Sequence, residues 1–221
     1  MELSLQELIN NSIREKRNGE KKEQKSWYAS SLGGCLRGIY FQRLGVKPDT
    51  ELTDRELRVF NVGNQMEDWL IKLISSQKKV KAETQVRVYS EEWNLSGKVD
   101  LVMEYNGIKK IYEIKTKHSR AFWWMLKEGK PMRQHEQQLW IYLELLGIEE
   151  GNLIYLSKDD LAIQEYIIRR NDKKLEEEVL DQINLLNKSW KEKDPALLPL
   201  LAKDSWQNKY CRFHSHCTTL K

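Results

Sequence analysis

The sequence predicts an α/β fold in which a central mixed β-sheet is flanked by helices. Apolar and polar residues alternate on both sides of Asn106 and Gly107, which is the pattern of two strands joined by a tight turn. Segments with helical spacing lie before and after this pair of strands. Strand and helix signals in this mixed order are typical of a sheet that is covered by helices.

The hairpin over residues 96–117 is the clearest local prediction. Asn and Gly at its turn both tolerate the positive φ that a type I′ turn requires. If the residues that flank the turn pair with each other, the register sets Asp100 opposite Glu113. The same register sets Lys98 opposite Lys115. The hairpin should therefore carry a face of charged side chains.

Because side chains alternate across a strand, Asp100, Glu113 and Lys115 share one face of the hairpin. The residues between them share the other face, which we expect to be core: Val99, Leu101, Tyr112 and Ile114. Two carboxylates that face each other repel unless a cation lies between them. Hard oxygen ligands suit Mg²⁺ or Mn²⁺, and the lysine is placed to hold or deprotonate an attacking water. The two acids alone would also fit the solvated face of an ordinary hairpin.

Further elements follow from periodicity and from helix start and stop signals. Helices are predicted at 3–17, from Cys35 to just before Gly45, from a cap at Thr53 to about Ser75, at 121–127, from Pro131 to Gly147 and at 172–191. Strands are predicted at 84–89, which should join the hairpin sheet, and at 152–158 and 161–169.

The length of 221 residues fits a single domain. We divide it into an N-terminal helical segment with Cys35 (1–50), a core (51–170) and a C-terminal helix with a cysteine-containing tail (171–221). No apolar run approaches the roughly 18 residues that cross a bilayer, and the first residues lack the features of a signal peptide. We therefore expect a cytoplasmic protein with no membrane partner.

Basic and aromatic residues are concentrated after the hairpin turn. Residues 109–133 contain eight Lys or Arg against two Glu, although the net charge of the chain is only +4. Phosphates attract cations, and unpaired bases stack on aromatic rings. This stretch therefore predicts a nucleic-acid track formed by Lys117, Arg120, Trp123, Trp124 and Lys127.

Four short motifs occur in a recognisable order. They are Gly63-Asn-Gln-Met-Glu67, Gly97-Lys-Val-Asp100, Glu113-Ile-Lys115 and Gln138-Leu-Trp-Ile-Tyr142. In content, order and spacing they resemble the PD-(D/E)XK nuclease superfamily, in particular its RecB-like branch. An N-terminal cysteine with a cysteine-containing C-terminus further resembles the iron–sulfur members, which include CRISPR-associated exonucleases and AddB-type nuclease domains. The resemblance covers nearly the whole chain and implies a restriction-endonuclease-like core.

The resemblance also implies roles for individual residues. Asp100 and Glu113 would bind the catalytic Mg²⁺ or Mn²⁺, with the carbonyl of Ile114 and the acid Glu67 as further ligands. Lys115 would position the attacking water. Three residues of one helix would face the site and order the substrate: Gln138, Tyr142 and, one turn earlier, His135.

The cysteines follow the family pattern only in part. Three cysteines in a reducing compartment favour metal or cluster ligation over disulfides. Cys211 and Cys217 have the spacing of the last two family cysteines, but Asn208 stands where a further one is expected. His214 is close enough in sequence to replace it, which gives the ligand set Cys35, Cys211, Cys217 and His214. A four-iron four-sulfur cluster, a zinc ion and three buried thiols without metal are the alternatives.

The sequence as a whole predicts a metal-dependent DNA nuclease that hydrolyses phosphodiester bonds. By the resemblance it would be an exonuclease on single strands or DNA ends, in phage or prokaryotic recombination, repair or CRISPR adaptation. The alternative is a non-catalytic nucleic-acid-binding module on the same fold.

Overall fold

The helices and strands follow the predicted order along the chain. A computed structural model describes residues 4–19, 23–77, 80–202 and 204–219. The remaining residues of the predicted N-terminal segment, core and tail lie outside the described residues.

The α-helices are α1 (Leu5–Gly19), α2 (Leu36–Arg43), α3 (Asp54–Ser75), α4 (Ser119–Glu128), α5 (Arg133–Leu146), α6 (Lys173–Glu192), α7 (Trp206–Lys209) and α8 (His214–Thr219). The strands are β1 (Trp27–Tyr28), β2 (Lys81–Ser90), β3 (Leu95–Tyr105), β4 (Ile108–Lys117), β5 (Glu150–Ser157) and β6 (Ile163–Arg169). Within the described ranges, no helix combines the length and the apolar character needed to cross a membrane.

Two predicted helix caps are confirmed. Thr53 caps α3 with a capping box, in which its side chain accepts the N–H of Glu56 and the Glu56 side chain bonds back to the Thr53 backbone. Cys35 caps α2, and its sulfur accepts the N–H of Gly38 at 3.5 Å. Both caps satisfy N–H groups that the first turn of a helix leaves without a partner.

Several predicted boundaries were wrong by two or three residues, and two of them have a clear local cause. Pro131 does not begin α5, because Met132 is its N-cap and has extended backbone. The N–H of Met132 donates to the hydroxyl of Tyr155 at 3.1 Å, which holds the chain extended past the proline. β6 begins at Ile163, because Leu161 has a φ of 57° and turns the chain before the strand.

One mixed sheet holds the six strands found in the described ranges. Its order is β1-β3-β4-β5-β6, and β2 also pairs with β3. β1 runs parallel to β3 and β4 runs parallel to β5, whereas the β2–β3, β3–β4 and β5–β6 pairs are antiparallel. The predicted α/β fold with a mixed, helix-flanked sheet is confirmed.

The hairpin turn has the predicted conformation, but the hairpin ladder is shorter than predicted. Both central turn residues have positive φ, 52° and 78°, as a type I′ turn requires. Pairing between β3 and β4 runs from the turn as far as Leu101 and Tyr112 and ends there. The predicted backbone pair of Asp100 with Glu113 was therefore wrong.

The two strands separate beyond this point, while each keeps the partner on its other edge. β3 continues beside β2, where Lys98 pairs with Arg87 rather than with Lys115, so that second predicted pair was also wrong. β4 continues beside β5. At the point of separation the carboxylate of Asp100 accepts the backbone N–H of Ile114 at 2.9 Å, which takes the place of a backbone bond.

The pairing of β3 with its other neighbour, β2, is also interrupted at the level of Asp100. β2 pairs with β3 before and after Gln85, at Leu101 and at Val99, but the ladder skips Gln85 itself. Gln85 has a φ of 55°, a left-handed conformation that is unusual for a non-glycine residue within a strand. The skipped position lies opposite Asp100, so the sheet is irregular on both sides of this acid.

Helices cover both faces of the sheet. α3 packs on β4 and β5 through the buried residues Leu70, Ile71, Ile114 and Ile154. On the opposite face, α5 and α6 belong to a larger core that includes Ile111, Leu139, Leu153 and Val179. The sequence predicted one core face for the hairpin. Both faces are covered because β4 lies inside the sheet beside a parallel partner, and Glu113 consequently lies beneath α5.

Candidate active site

The cavity between the separated parts of β3 and β4 contains the predicted catalytic residues. Its volume is about 530 Å³, and it is lined by all five of the predicted catalytic side chains: Asp100, Glu113, Lys115, Gln138 and Tyr142. These side chains come from β3, β4 and α5. The tertiary fold, rather than one local segment, therefore assembles the cluster.

Glu113 is the central group of this cluster. Its side chain is only 1% exposed, and its Oε1 atom accepts hydrogen bonds from Lys115 Nζ and from Gln138 Nε2, both at 2.6 Å. Its Oε2 atom is buried and has no hydrogen-bond partner among the described residues. Because buried polar atoms normally have partners, this oxygen is a candidate ligand atom.

A third carboxyl reaches the cluster from α3. Glu67 lies close enough to Asp100 for the two charges to interact. Gly63, one turn before Glu67, allows this approach, since a Cβ atom there would lie 2.9 Å from Thr116 Oγ1 on β4. The spacing of the Gly63-to-Glu67 motif thus has a steric reason.

The carboxyls hold their protons more tightly than usual. Burial raises the pKa of Glu113 to about 8 and that of Glu67 to about 7, and repulsion from Asp100 contributes to both shifts. Burial raises the pKa of Asp100 as well. Burial alone would lower the pKa of Lys115, but attraction to Glu113 and Asp100 outweighs it and raises that pKa. The charges of three carboxyls thus act on one lysine ammonium, and that of Glu113 is in direct contact with it.

The donor set of the cavity suits a divalent cation. The excess of carboxyls over ammonium groups and the unpaired Oε2 of Glu113 both favour a hard cation with oxygen ligands. In the described part of the chain, no three His, Cys, Asp or Glu side chains already surround a common metal position. The metal roles of Glu67, Asp100, Glu113 and the Ile114 carbonyl therefore stay predictions.

Gln138 and Tyr142 lie one turn apart on α5 and are joined by a hydrogen bond. Gln138 Nε2 also donates to the hydroxyl of Tyr142 at 3.1 Å. The ring of Tyr142 packs directly on Gly97, where a Cβ atom would come within 2.5 Å of it. The glycine of the Gly97-to-Asp100 motif thus makes room for the tyrosine of the Gln138-to-Tyr142 motif.

His135 is oriented by a buried tyrosine. Its Nδ1 atom lies 2.8 Å from the hydroxyl of Tyr155, which itself accepts the N–H of Met132. Burial, together with the charges of Lys115 and Lys117, lowers the pKa of His135 to about 2. His135 therefore remains a neutral imidazole beside the two lysines.

The residues of the predicted nucleic-acid track do not line the carboxyl cavity. Lys117 and Trp124 line a separate cavity of about 470 Å³, which does not contain the carboxyls. Arg120 and Lys127 are exposed on α4. Trp123 is 53% exposed, and its indole N–H donates to Asp160 at 3.0 Å.

Sequence reasoning missed a group of residues on the β2 side of the cavity. Tyr28, Arg87, Tyr89, Ser96 and Lys98 line the cavity together with the carboxyls. Two of them could have been found from the alternation of β2. Arg87 and Tyr89 alternate there with the apolar residues Val86 and Val88, so they belong to the other face of the strand. Their position beside Asp100 depends on a strand pairing that the sequence alone did not specify.

The three cysteines lie close to one another. Burial raises the pKa of Cys35 and of Cys217, and the charge of Cys211 contributes to both shifts. The sulfur of Cys211 accepts the N–H of Phe213 at 3.4 Å. His214 is exposed and interacts with the charge of Asp49 instead. The structure thus brings the thiols near one another, but in the described residues they do not already surround a metal position, so the cluster and its whole ligand set stay predictions.

The raised acid pKa values predict a pH-dependent stability in the metal-free protein. The folded state retains a proton on Glu113 up to about pH 8, whereas the unfolded chain releases it near the ordinary value of 4.5. The free energy of unfolding in chelator should therefore fall as the pH rises through this window. Urea denaturation of Glu113→Gln should show a weaker fall, while Glu83→Gln, at an exposed strand position, should match wild type. Equal slopes in all three proteins would contradict the shift.

Comparison with known proteins supports the motif assignment. No protein-family model matches the sequence. The CRISPR-associated exonuclease Cas4 of Saccharolobus solfataricus is 26% identical over 205 residues, which cover 89% of this chain and 89% of that protein.

Solved structures share the fold. The crystal structure of SSO0001 matches with a TM-score of 0.64 at 23% identity and covers 97% of this chain and 96% of its own. LHK-Exo in complex with dAMP matches with a TM-score of 0.58 at 16% identity, covering 77% of this chain and 90% of its own. A further structure of LHK-Exo, an alkaline exonuclease from Laribacter hongkongensis, gives a TM-score of 0.55 at 16% identity over 77% of this chain and 94% of its own. Similarity in sequence and in fold confirms that this chain resembles the nucleases of the PD-(D/E)XK superfamily.

Proposed function

We propose that this protein is a metal-dependent DNA nuclease, acting as an exonuclease on single strands or DNA ends. The observation that carries the proposal is the buried Glu113, whose Oε1 binds Lys115 and Gln138 while its Oε2 lacks a partner among the described residues. Similarity to a CRISPR-associated exonuclease and the fold of LHK-Exo support the reaction class. A prokaryotic or phage setting in recombination, repair or CRISPR adaptation belongs to the same proposal, as does a cytoplasmic location.

The chain offers oxygen ligands for one or more Mg²⁺ or Mn²⁺ ions. Asp100, Glu113 and the carbonyl of Ile114 would hold the cation, and Glu67 would bind it directly or through water. When bound, the cation supplies polarisation of the phosphodiester and a lower pKa for an attacking water. The acids must first lose their protons, so cation binding should strengthen as the pH rises through about 7 to 8.

The remaining residues of the cavity would position the reactants. Lys115 keeps its charge because of Glu113 and Asp100, so its ammonium can hold the attacking water by a hydrogen bond. Gln138 holds the Glu113 carboxylate in place and is coupled to the Tyr142 hydroxyl, so the two can orient a phosphate together. His135 would take part as a neutral hydrogen-bonding group.

The alternative of a non-catalytic binding module accounts poorly for the site. Burying carboxyls and a lysine costs free energy that a surface phosphate track would not require. A binding module would be expected to lose Glu113 or Lys115 without harm. We therefore favour catalysis.

We also propose that the three thiols hold a metal centre, with a four-iron four-sulfur cluster ahead of zinc. Cys35 and Cys211 both accept backbone N–H groups through sulfur, an arrangement that tunes cluster thiolates. Only three thiols are present in the chain, so the fourth ligand would be His214 or a group from outside this set. The centre would join α2 to the C-terminal tail.

Substitution of the catalytic residues tests the nuclease. Asp100→Ala and Lys115→Ala should each reduce cleavage of end-labelled single-stranded DNA in Mg²⁺ or Mn²⁺ by about 100-fold or more. DNA binding should persist, because neither change removes a phosphate contact of the track. Lys109→Ala is the matched control, since Lys109 is an exposed lysine on the same strand. Cleavage by either variant at close to the wild-type rate would refute the site, and cleavage in chelator would refute metal dependence.

Neutralising the predicted track tests its contact with DNA. Lys117, Arg120 and Lys127 changed together to Gln should weaken binding of a single strand and flatten its salt dependence. Each lost phosphate contact removes about 0.7 from the slope of log K against log salt, so the expected change is up to about 2. An unchanged slope in a fluorescence anisotropy titration would mean that α4 faces away from the strand.

Elemental analysis tests the cysteine site. Protein purified without oxygen should be brown and contain iron if a cluster is present, or be colourless and contain zinc. Cys35→Ser, Cys211→Ser and Cys217→Ser should each lower metal content and thermal stability. His214→Ala should do so only if His214 is the fourth ligand, and His216→Ala is its control, because His216 bonds the Lys47 carbonyl at 3.1 Å. Protein with neither metal would end this part of the proposal.

A further inference from the structure

Two cations oppose each other at the mouth of the carboxyl cavity. Arg87 of β2 and Lys98 of β3 are directly paired across the antiparallel ladder. Both side chains are exposed, and neither forms an ion pair with an acid in the described ranges. Like charges directly opposite each other destabilise a sheet. This pair therefore suits a bound anion that separates the two charges.

An exposed aromatic ring continues the same surface. Tyr89 is two residues after Arg87 on β2, so its side chain lies on the same face of the strand, and it is 64% exposed. It pairs with Ser96, and both line the cavity that holds Asp100 and Glu113. A large exposed ring beside two cations is the combination that binds an unpaired nucleotide, since the cations hold its phosphate and the ring stacks on its base.

This surface is separate from the predicted nucleic-acid track that includes α4. Lys117 and Trp124 line the other cavity, which shares no lining residue with the carboxyl cavity. The chain thus carries two cationic and aromatic surfaces, and of these only the one with Arg87, Tyr89 and Lys98 lines the cavity of the reacting groups.

We propose that Arg87, Lys98 and Tyr89 form a binding site for an unpaired nucleotide of the DNA strand, next to the nucleotide whose phosphodiester bond is cut. A backbone phosphate lies between the Arg87 guanidinium and the Lys98 ammonium, and the base stacks on the ring of Tyr89. In a duplex, neighbouring base pairs cover the base faces, so this site selects an unpaired strand. The inference rests on the proposed nuclease function, whose substrate it describes.

The test is binding of a fluorescent single-stranded oligonucleotide in chelator, where cleavage cannot interfere. Arg87→Gln with Lys98→Gln should flatten the slope of log K against log salt by about 0.7, which is one phosphate contact on a single strand. The control is Lys81→Gln with Lys109→Gln, since these exposed lysines both pair with Glu104 at the far end of the sheet. The control should leave the slope unchanged.

Substitution of Tyr89 tests the stacking contact independently of the phosphate contact. Tyr89→Ala should weaken binding of the single strand about tenfold with an unchanged salt slope, because stacking carries no charge. Tyr89→Phe should restore wild-type affinity, and binding of a blunt duplex should not change in either variant. The side chain is exposed, so thermal melting should be that of wild type in both.

The outcomes separate this inference from the proposed function. An unchanged slope in the Arg87 and Lys98 variant, or a slope change equal to that of the control, would overturn the phosphate site. Equal losses for single strand and duplex in Tyr89→Ala would overturn the stacking site. If either result is found while cleavage still depends on Lys115, the nucleotide site is refuted and the proposed nuclease function is not. The expected binding changes in a protein that does not cut DNA would refute the nuclease and not the nucleotide site.

Discussion

The separation of β3 from β4 is the constraint on which the rest of the site depends. A regular hairpin would hold Asp100 and Glu113 in a closed ladder and would leave no cavity between the strands. Here the ladder ends one residue before this pair, and the Asp100 carboxylate binds the Ile114 N–H that a longer ladder would have used. The acid is thereby fixed at the fork of the hairpin. Since Gln85 also leaves the ladder at this level, neither neighbouring strand constrains the backbone of Asp100 in the usual way.

Burial of charge then determines what the fork can hold. Glu113 lies beneath α5 with one oxygen bound to Lys115 and Gln138 and the other without a partner in the described structure. A buried carboxylate of this kind weakens a fold unless a cation or a proton compensates it. The two glycines at Gly63 and Gly97 serve the same arrangement, because they let α3 approach β4 and let the Tyr142 ring pack on β3. Close packing and an excess of carboxyl groups therefore occur together, which is a reason to regard the site as functional.

The sequence predicted features that depend on neighbouring residues and missed features that depend on distant ones. The turn at Asn106 and Gly107, the Thr53 cap and the Cys35 cap are all set within about four residues, and all three are confirmed. The end of the hairpin ladder depends instead on distant parts of the chain, since β1 pairs with Leu95 and Ser96 of β3 beyond the point where β4 leaves it. The motif resemblance identified the lining residues from β3, β4 and α5, but Arg87 and Tyr89 reach the cavity only through the β2–β3 register. That register follows from the tertiary fold.

α5 connects the two sides of the site. Gln138 bonds the central carboxyl, and one turn earlier His135 is fixed by Tyr155, whose hydroxyl also binds the N-cap residue Met132. Met132 lines the second cavity, which also contains Lys117 and Trp124, whereas Gln138 lines the carboxyl cavity. A displacement of α5 would therefore change both cavities and the orientation of Glu113 at the same time. The helix that sets the geometry of the acids thus also sets the distance between the two surfaces proposed to hold the strand, so strand binding and the arrangement of the reacting groups depend on the same packing.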